Sequence, residues 1–70
     1  MKNIIKQKRK ELKLSQDELS KLAGVTRQTI NAIENDKYDP SLSLAFQLAA
    51  ILRIRVDELF RFGDERDDQY

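Results

Sequence analysis

Residues 15–35 read S-Q-D-E-L-S-K-L-A-G-V-T-R-Q-T-I-N-A-I-E-N, and this stretch decides the fold. Ser15 is a strong helix N-cap, and Glu18 three positions later completes a capping box. Leu14 before the cap and Leu19 inside it form a hydrophobic staple. The device then repeats, with Thr26 as cap and Val25 and Ile30 as staple. Between the two starts lies Gly24, which takes the positive φ of a helix C′ position without steric cost. Two short helices, each begun by its own cap, are joined by a tight turn, which is the composition of a helix-turn-helix unit.

The second of these helices is two-faced. Ile30 and Ile33 form an apolar stripe at i, i+3 spacing. Arg27, Gln28, Asn31 and Asn35 lie opposite, with Ala32 beside them. Arg matches guanine edges and Gln or Asn matches adenine edges in the major groove of DNA. An ordinary solvated face has polar residues too; the doubly capped geometry is what favours DNA readout.

The rest of the chain packs around this unit. Lys2 to Lys13 reads as a first helix, with Ile5, Arg9 and Leu12 in i, i+4, i+7 register. An Arg on an apolar stripe either lays its stem along the core or meets a buried partner, and Glu34 is the candidate. The second helix, Gln16 to Ala23, is expected to bury Leu19, Leu22 and Ala23; the third spans Arg27 to Glu34. Residues 35–40, rich in turn formers and ending in Pro40, make a loop. Ser41 caps a fourth helix, Leu42 to Leu52. Its apolar positions Leu44, Ala45, Leu48, Ala49 and Leu52 are nearly continuous, and Phe46 and Ile51 widen that face. A short fifth helix follows from Val56 to Phe60, with Leu59 inward. No strand-like alternation is visible. The expectation is an all-α, compact five-helix domain over residues 1–62, followed by an acidic tail over 63–70.

Seventy residues with 40% apolar content allow one small core. There is no Cys and no His. That removes disulfides, thiolate metal sites, the commonest metal ligand and the usual neutral-pH general base. With no paired-carboxylate site either, an enzyme is disfavoured, and no metal, cofactor or small-molecule ligand is expected. No apolar run is long enough to span a bilayer and no signal peptide is visible, so the expected setting is cytoplasmic, away from membranes. Net charge is only +1 but polarised. Residues 1–14 carry six cations against Glu11, whereas residues 57–70 carry six acids against Arg61 and Arg66. A basic end suits a polyanion; the acidic end reads as a solvated tail.

Arg9, Leu14-Ser15-Gln16-x-x-Leu19, Gly24-Val25-Thr26-Arg27-Gln28-x-Ile30, Ile33-Glu34-Asn35, Pro40-Ser41-Leu42 and Val56-Asp57-Glu58-Leu59-Phe60 together resemble the phage repressor and Cro-like (Xre-type) helix-turn-helix proteins, at the family's usual spacing. The resemblance implies a five-helix domain whose third helix enters the major groove. It implies base reading by Arg27 and Gln28, with Asn31 and Ala32 on the same face. It implies phosphate contacts from Gln16, from Asn35, Lys37 and Tyr38 after the third helix, and from Ser41 and Ser43 at the start of the fourth. It also implies an Arg9–Glu34 ion pair. Ala32 is too short to hydrogen-bond a base edge and is suited to a thymine methyl. Three positions depart from the pattern: Asp36 replaces a common Gly, Arg53 replaces a C-capping Gly or Asn, and Arg55 replaces a Ser or Thr cap.

The expected function is a DNA-binding transcriptional regulator, a repressor bound as a homodimer to a palindromic operator in double-stranded DNA. The competing possibility is an antitoxin or adaptor that binds another protein through the same fold. Pairing needs an apolar surface away from the basic face, and the candidates are Ile54, Val56, Phe60 and Phe62. The alternative for Phe62 is a lid over Ile4 or Ile5.

Overall fold

The computed structural model describes residues 1–61; the expected acidic tail and Phe62 lie outside them. Among the described residues there are five helices: α1 (Ile5–Glu11), α2 (Gln16–Ala23), α3 (Arg27–Glu34), α4 (Leu42–Leu52) and α5 (Val56–Leu59). Two short strands, β1 (Lys2–Asn3) and β2 (Phe60–Arg61), pair antiparallel with Lys2 opposite Arg61 and Asn3 opposite Phe60.

The caps explain the starts. Ser15 Oγ accepts from Glu18 N at 2.9 Å while Glu18 Oε1 accepts from Ser15 N at 2.8 Å, completing the box. Thr26 Oγ1 accepts from Thr29 N, and Ser41 Oγ from Leu44 N, each at 3.2 Å. The ends follow one pattern. Leu14 N donates to Arg9 O, Val25 N to Ser20 O, Lys37 N to Ala32 O and Ile54 N to Ala49 O, all within 3.0 Å. Each is the six-to-one bond of a Schellman motif, which requires a left-handed residue at C′. Gly24 fills one such position, with φ of 73°; Lys13, Asp36 and Arg53 fill the others at 59°, 60° and 60°. Asp36 and Arg53 therefore do stand in glycine's conformation. Arg55, the N-cap of α5, makes no side-chain cap bond.

The core consists of Ile5, Leu19, Ala23, Ile30, Ile33, Leu44, Ala45, Leu48, Ala49, Leu52, Leu59 and Phe60. α4 is its centre and packs against α1, α2 and α5, while α2 packs on α3.

Several expectations are corrected. The first helix starts at Ile5, because Lys2 and Asn3 are drawn into a strand and Asn3 Oδ1 accepts from Ile5 N at 3.1 Å. It stops at Glu11 as the chain turns through left-handed Lys13. Leu22 is 57% exposed. The covered flank of α2 is instead Leu19, Ser20 and Ala23, with Ser20 Oγ satisfied by donating to Asp17 O at 2.7 Å. Phe46 is 58% exposed, since residues 44, 45, 48, 49 and 52 already fill the inner face of α4.

The most consequential correction concerns Phe60. It is not helical: its φ and ψ of −113° and 143° make it the first residue of β2. Alternation along a strand sends Phe60 inward and Arg61 outward, and Phe60 is 8% exposed. It belongs to the monomer's core and is unavailable to a dimer surface.

Candidate nucleic-acid interface

α3 buries Ile30 and Ile33 and leaves Arg27, Gln28 and Asn31 exposed, with Ala32 half-buried. The side chains of Arg27, Gln28 and Asn31 make no hydrogen bond or ion pair within the described residues. All are donor-bearing, and they stand at i, i+1 and i+4 within the first five residues of the helix. A side chain with no internal partner gives up no internal hydrogen bond when it turns to an outside one, so such a face is suited to an external acceptor.

The loop after α3 begins at the left-handed Asp36. Lys37 and Tyr38 are exposed, and neither makes a hydrogen bond or ion pair within the described residues. Asn35 is differently placed: its Nδ2 donates to Asn31 O at 2.9 Å, closing the last turn of α3. Ser41 and Ser43 are exposed at the start of α4, with their hydroxyl oxygens 3.4 Å apart and Ser41 Oγ also serving as the cap.

Arg9 and Glu34 lie against one another in the interior. Arg9 Nε donates to Glu34 Oε2 at 2.7 Å and Nη2 to Oε1 at 3.3 Å; Nη1 donates to Leu14 O at 2.9 Å. The side chains are only 9% and 3% exposed. Snorkelling is thus replaced by a forked pair joining α1 to the last residue of α3. Gln16, half-buried, donates its Nε2 to the same Glu34 Oε1 at 3.0 Å.

Asn3 went unnoticed in the sequence. Its Nδ2 donates to Ile33 O at 2.9 Å and lies 3.4 Å from Asp36 Oδ1. One side chain therefore holds the end of α3, the acid at the head of the following loop, and the first amide of α1. The signal was present: an Asn side chain readily accepts from the backbone amide two residues on, as an Asx turn, just where the apolar run begins.

A second surface lies at the corner between α4 and α5. Phe46, Ala49, Ile54, Arg55, Val56 and Asp57 line an open groove of about 450 Å³. Ile54 and Val56 are half-buried in it. Arg55 and Asp57 form a bidentate pair at 3.1 and 2.9 Å on its rim. Among the described residues, no group of three or more Asp, Glu, His or Cys is placed to hold a metal ion, and no helix is long and apolar enough to cross a membrane.

The Helix-turn-helix family model matches residues 5–59. An uncharacterized HTH-type transcriptional regulator of Methanocaldococcus jannaschii is 46% identical over 65 residues, covering 93% of this chain and 98% of that one. A second, from Methanothermobacter thermautotrophicus, is 48% identical over 66 residues, covering 93% and 96%. Among solved structures, the restriction-modification controller protein C.AhdI from Aeromonas hydrophila superposes with a TM-score of 0.73 at 32% identity, covering 80% of this chain and 81% of that one. A matched span that contains both caps, the turn, the exposed face of α3 and the Arg9–Glu34 pair makes this chain a member of the helix-turn-helix family of transcriptional regulators.

Proposed function

We propose that this protein is a sequence-specific regulator of transcription that binds double-stranded DNA with α3 in the major groove. The observation that carries the reading is the exposed, internally uncommitted trio Arg27, Gln28 and Asn31 on a helix whose other face is locked into the core. Arg27 and Gln28 read base edges, Asn31 assists, and Ala32 offers its methyl to a thymine. Gln16, Lys37, Tyr38, Ser41 and Ser43 grip phosphates. Asn35 can offer a phosphate only its second Nδ2 hydrogen, because the first and the backbone N–H both already donate to Asn31 O. The simplest regulatory action is repression by occupying a promoter, in the cytoplasm.

A single α3 reads only a few base pairs, so the protein acts as a homodimer on a palindromic site, with two recognition helices ~34 Å apart. The pairing surface is the α4–α5 corner. Phe46 stands exposed beside an apolar groove containing Ile54 and Val56. A knob and a hole on one face are self-complementary about a two-fold axis, and Arg55 and Asp57 on the rim can exchange partners across it. An exposed Phe60 would have favoured the adaptor alternative, but Phe60 is buried.

Electrophoretic shift titrations on random-sequence duplexes at several salt concentrations test the reading. Binding weakens with salt in proportion to the phosphates neutralised, and Lys37→Ala lowers that slope by ~1 unit for all sequences alike. Absence of binding at low salt refutes DNA recognition. Sedimentation of wild type and Phe46→Asp tests the dimer; a wild type that stays monomeric at high concentration and binds half-sites without cooperativity refutes it.

A further inference from the structure

We propose that Glu34 is a positioning residue for Gln16, orienting its amide toward a DNA phosphate, so that the buried ion pair acts on DNA affinity as well as on stability. The inference rests on the reading of Gln16 as a phosphate contact. Glu34 closes α3 and Gln16 opens α2, so the bond between them ties together the two ends of the helix-turn-helix unit.

The geometry leaves Gln16 little choice. Its Nε2 donates to Glu34 Oε1 at 3.0 Å. Turning the amide over would set its carbonyl oxygen against a carboxylate oxygen, an acceptor against an acceptor. The carboxylate cannot follow a moving Gln16, because Arg9 grips both of its oxygens at 2.7 and 3.3 Å and is itself held by Leu14 O at 2.9 Å. The second Nε2 hydrogen is left without an acceptor among the described residues, and the side chain is only half-buried. A long side chain held beforehand in its bound rotamer loses less entropy on binding than a free one. The ion pair does not need Gln16, since Arg9 already donates to both carboxylate oxygens.

The test is a cycle of Gln16→Leu, Glu34→Gln and the double variant. Affinity for a random-sequence duplex is measured at a temperature where circular dichroism shows each to be folded. Gln16→Leu and Glu34→Gln are each expected to weaken binding about tenfold, the loss of one hydrogen bond to a charged group, and the double variant to bind like Gln16→Leu alone. The proposal is overturned if Glu34→Gln weakens binding equally in the Gln16→Leu background, or if Gln16→Leu binds like wild type. If wild type binds no duplex at all, it is the DNA reading that fails. Should Glu34→Gln not fold, nitrogen-15 relaxation of the Gln16 side-chain amide in free wild type decides. An ordered amide whose resonances shift on adding duplex is expected; a freely averaging one overturns the proposal.

Discussion

Removing one member of the Arg9–Glu34 pair should cost far more than a surface ion pair would. Both side chains are less than a tenth exposed, so water cannot compensate whichever charge is left behind. Arg9→Met strands the Glu34 carboxylate with only the Gln16 amide as donor, and also orphans Leu14 O. Glu34→Met strands the guanidinium with only Leu14 O as acceptor. Breaking a buried pair in this way costs ~3–5 kcal/mol. A domain of this length has a total stability of roughly 4–10 kcal/mol, so each single variant forfeits about half of it. At about 4–8 °C per kcal/mol, melting should fall by on the order of 15–30 °C. The double variant Arg9→Met, Glu34→Met removes both charges and fills the space with apolar chains, a replacement that is often neutral or stabilising. It should therefore cost less than the sum of the singles by about 3 kcal/mol or more. Urea denaturation of the four proteins measures the cycle. Singles within ~0.5 kcal/mol of wild type, or a double equal to the sum, would refute the assignment of this pair as a buried, coupled one.

Arg53→Gly should stabilise by about 0.5–1 kcal/mol, because relief of left-handed strain exceeds the entropy glycine adds to the unfolded chain; a lowered denaturation midpoint would contradict this. Phe60→Ala should cost ~3–5 kcal/mol as a core truncation, while Phe46→Ala in dilute protein should stay within about 0.5 kcal/mol; thermal melts distinguish the two. The Glu11 carboxyl titrates below its ordinary value, chiefly through the hydrogen bond from Lys8, with Gln7 and the Lys8 charge adding to it. A lowered folded value means that this contribution is present above the ordinary carboxylate range and fades as pH falls through the lowered one. Carbon-13 titration of Lys8→Ala should show Glu11 moving up toward its ordinary value, and an unmoved midpoint would assign the shift elsewhere.

What was legible in the sequence was what is local. The Ser15–Glu18 box, the caps at Thr26 and Ser41, and Gly24 act within a few residues, and each is found in place. The i, i+3 stripe of α3 needs only the helical period. Features set by distant packing were not legible. Two-residue strands have no periodicity to detect, and β1 and β2 meet across nearly the whole described chain. Whether Leu22 or Ser20 flanks the core side of α2 depends on where its neighbours cross it, which hydrophobicity alone does not encode. Phe60 turned on a single residue at the end of α5, since one position more of helix or of strand reverses the direction of its side chain. Lys13 and Arg53 defied a composition rule because tertiary packing outweighs the cost of a left-handed residue. In the candidate site, Arg27 and Gln28 were legible as exposed forked donors, whereas the Gln16 bond to Glu34 required the two ends of the unit to be seen together.

In vitro selection of bound duplexes from a random pool, run in parallel with wild type and Arg27→Ala, tests the central claim most directly. Wild type should enrich a two-fold symmetric motif with half-sites about one helical turn apart. Arg27→Ala should lose preference at one position in each half-site, at a cost of ~1–3 kcal/mol there, while the spacing is kept. Enrichment of the same motif by both proteins, or of no motif by wild type, would contradict readout through α3.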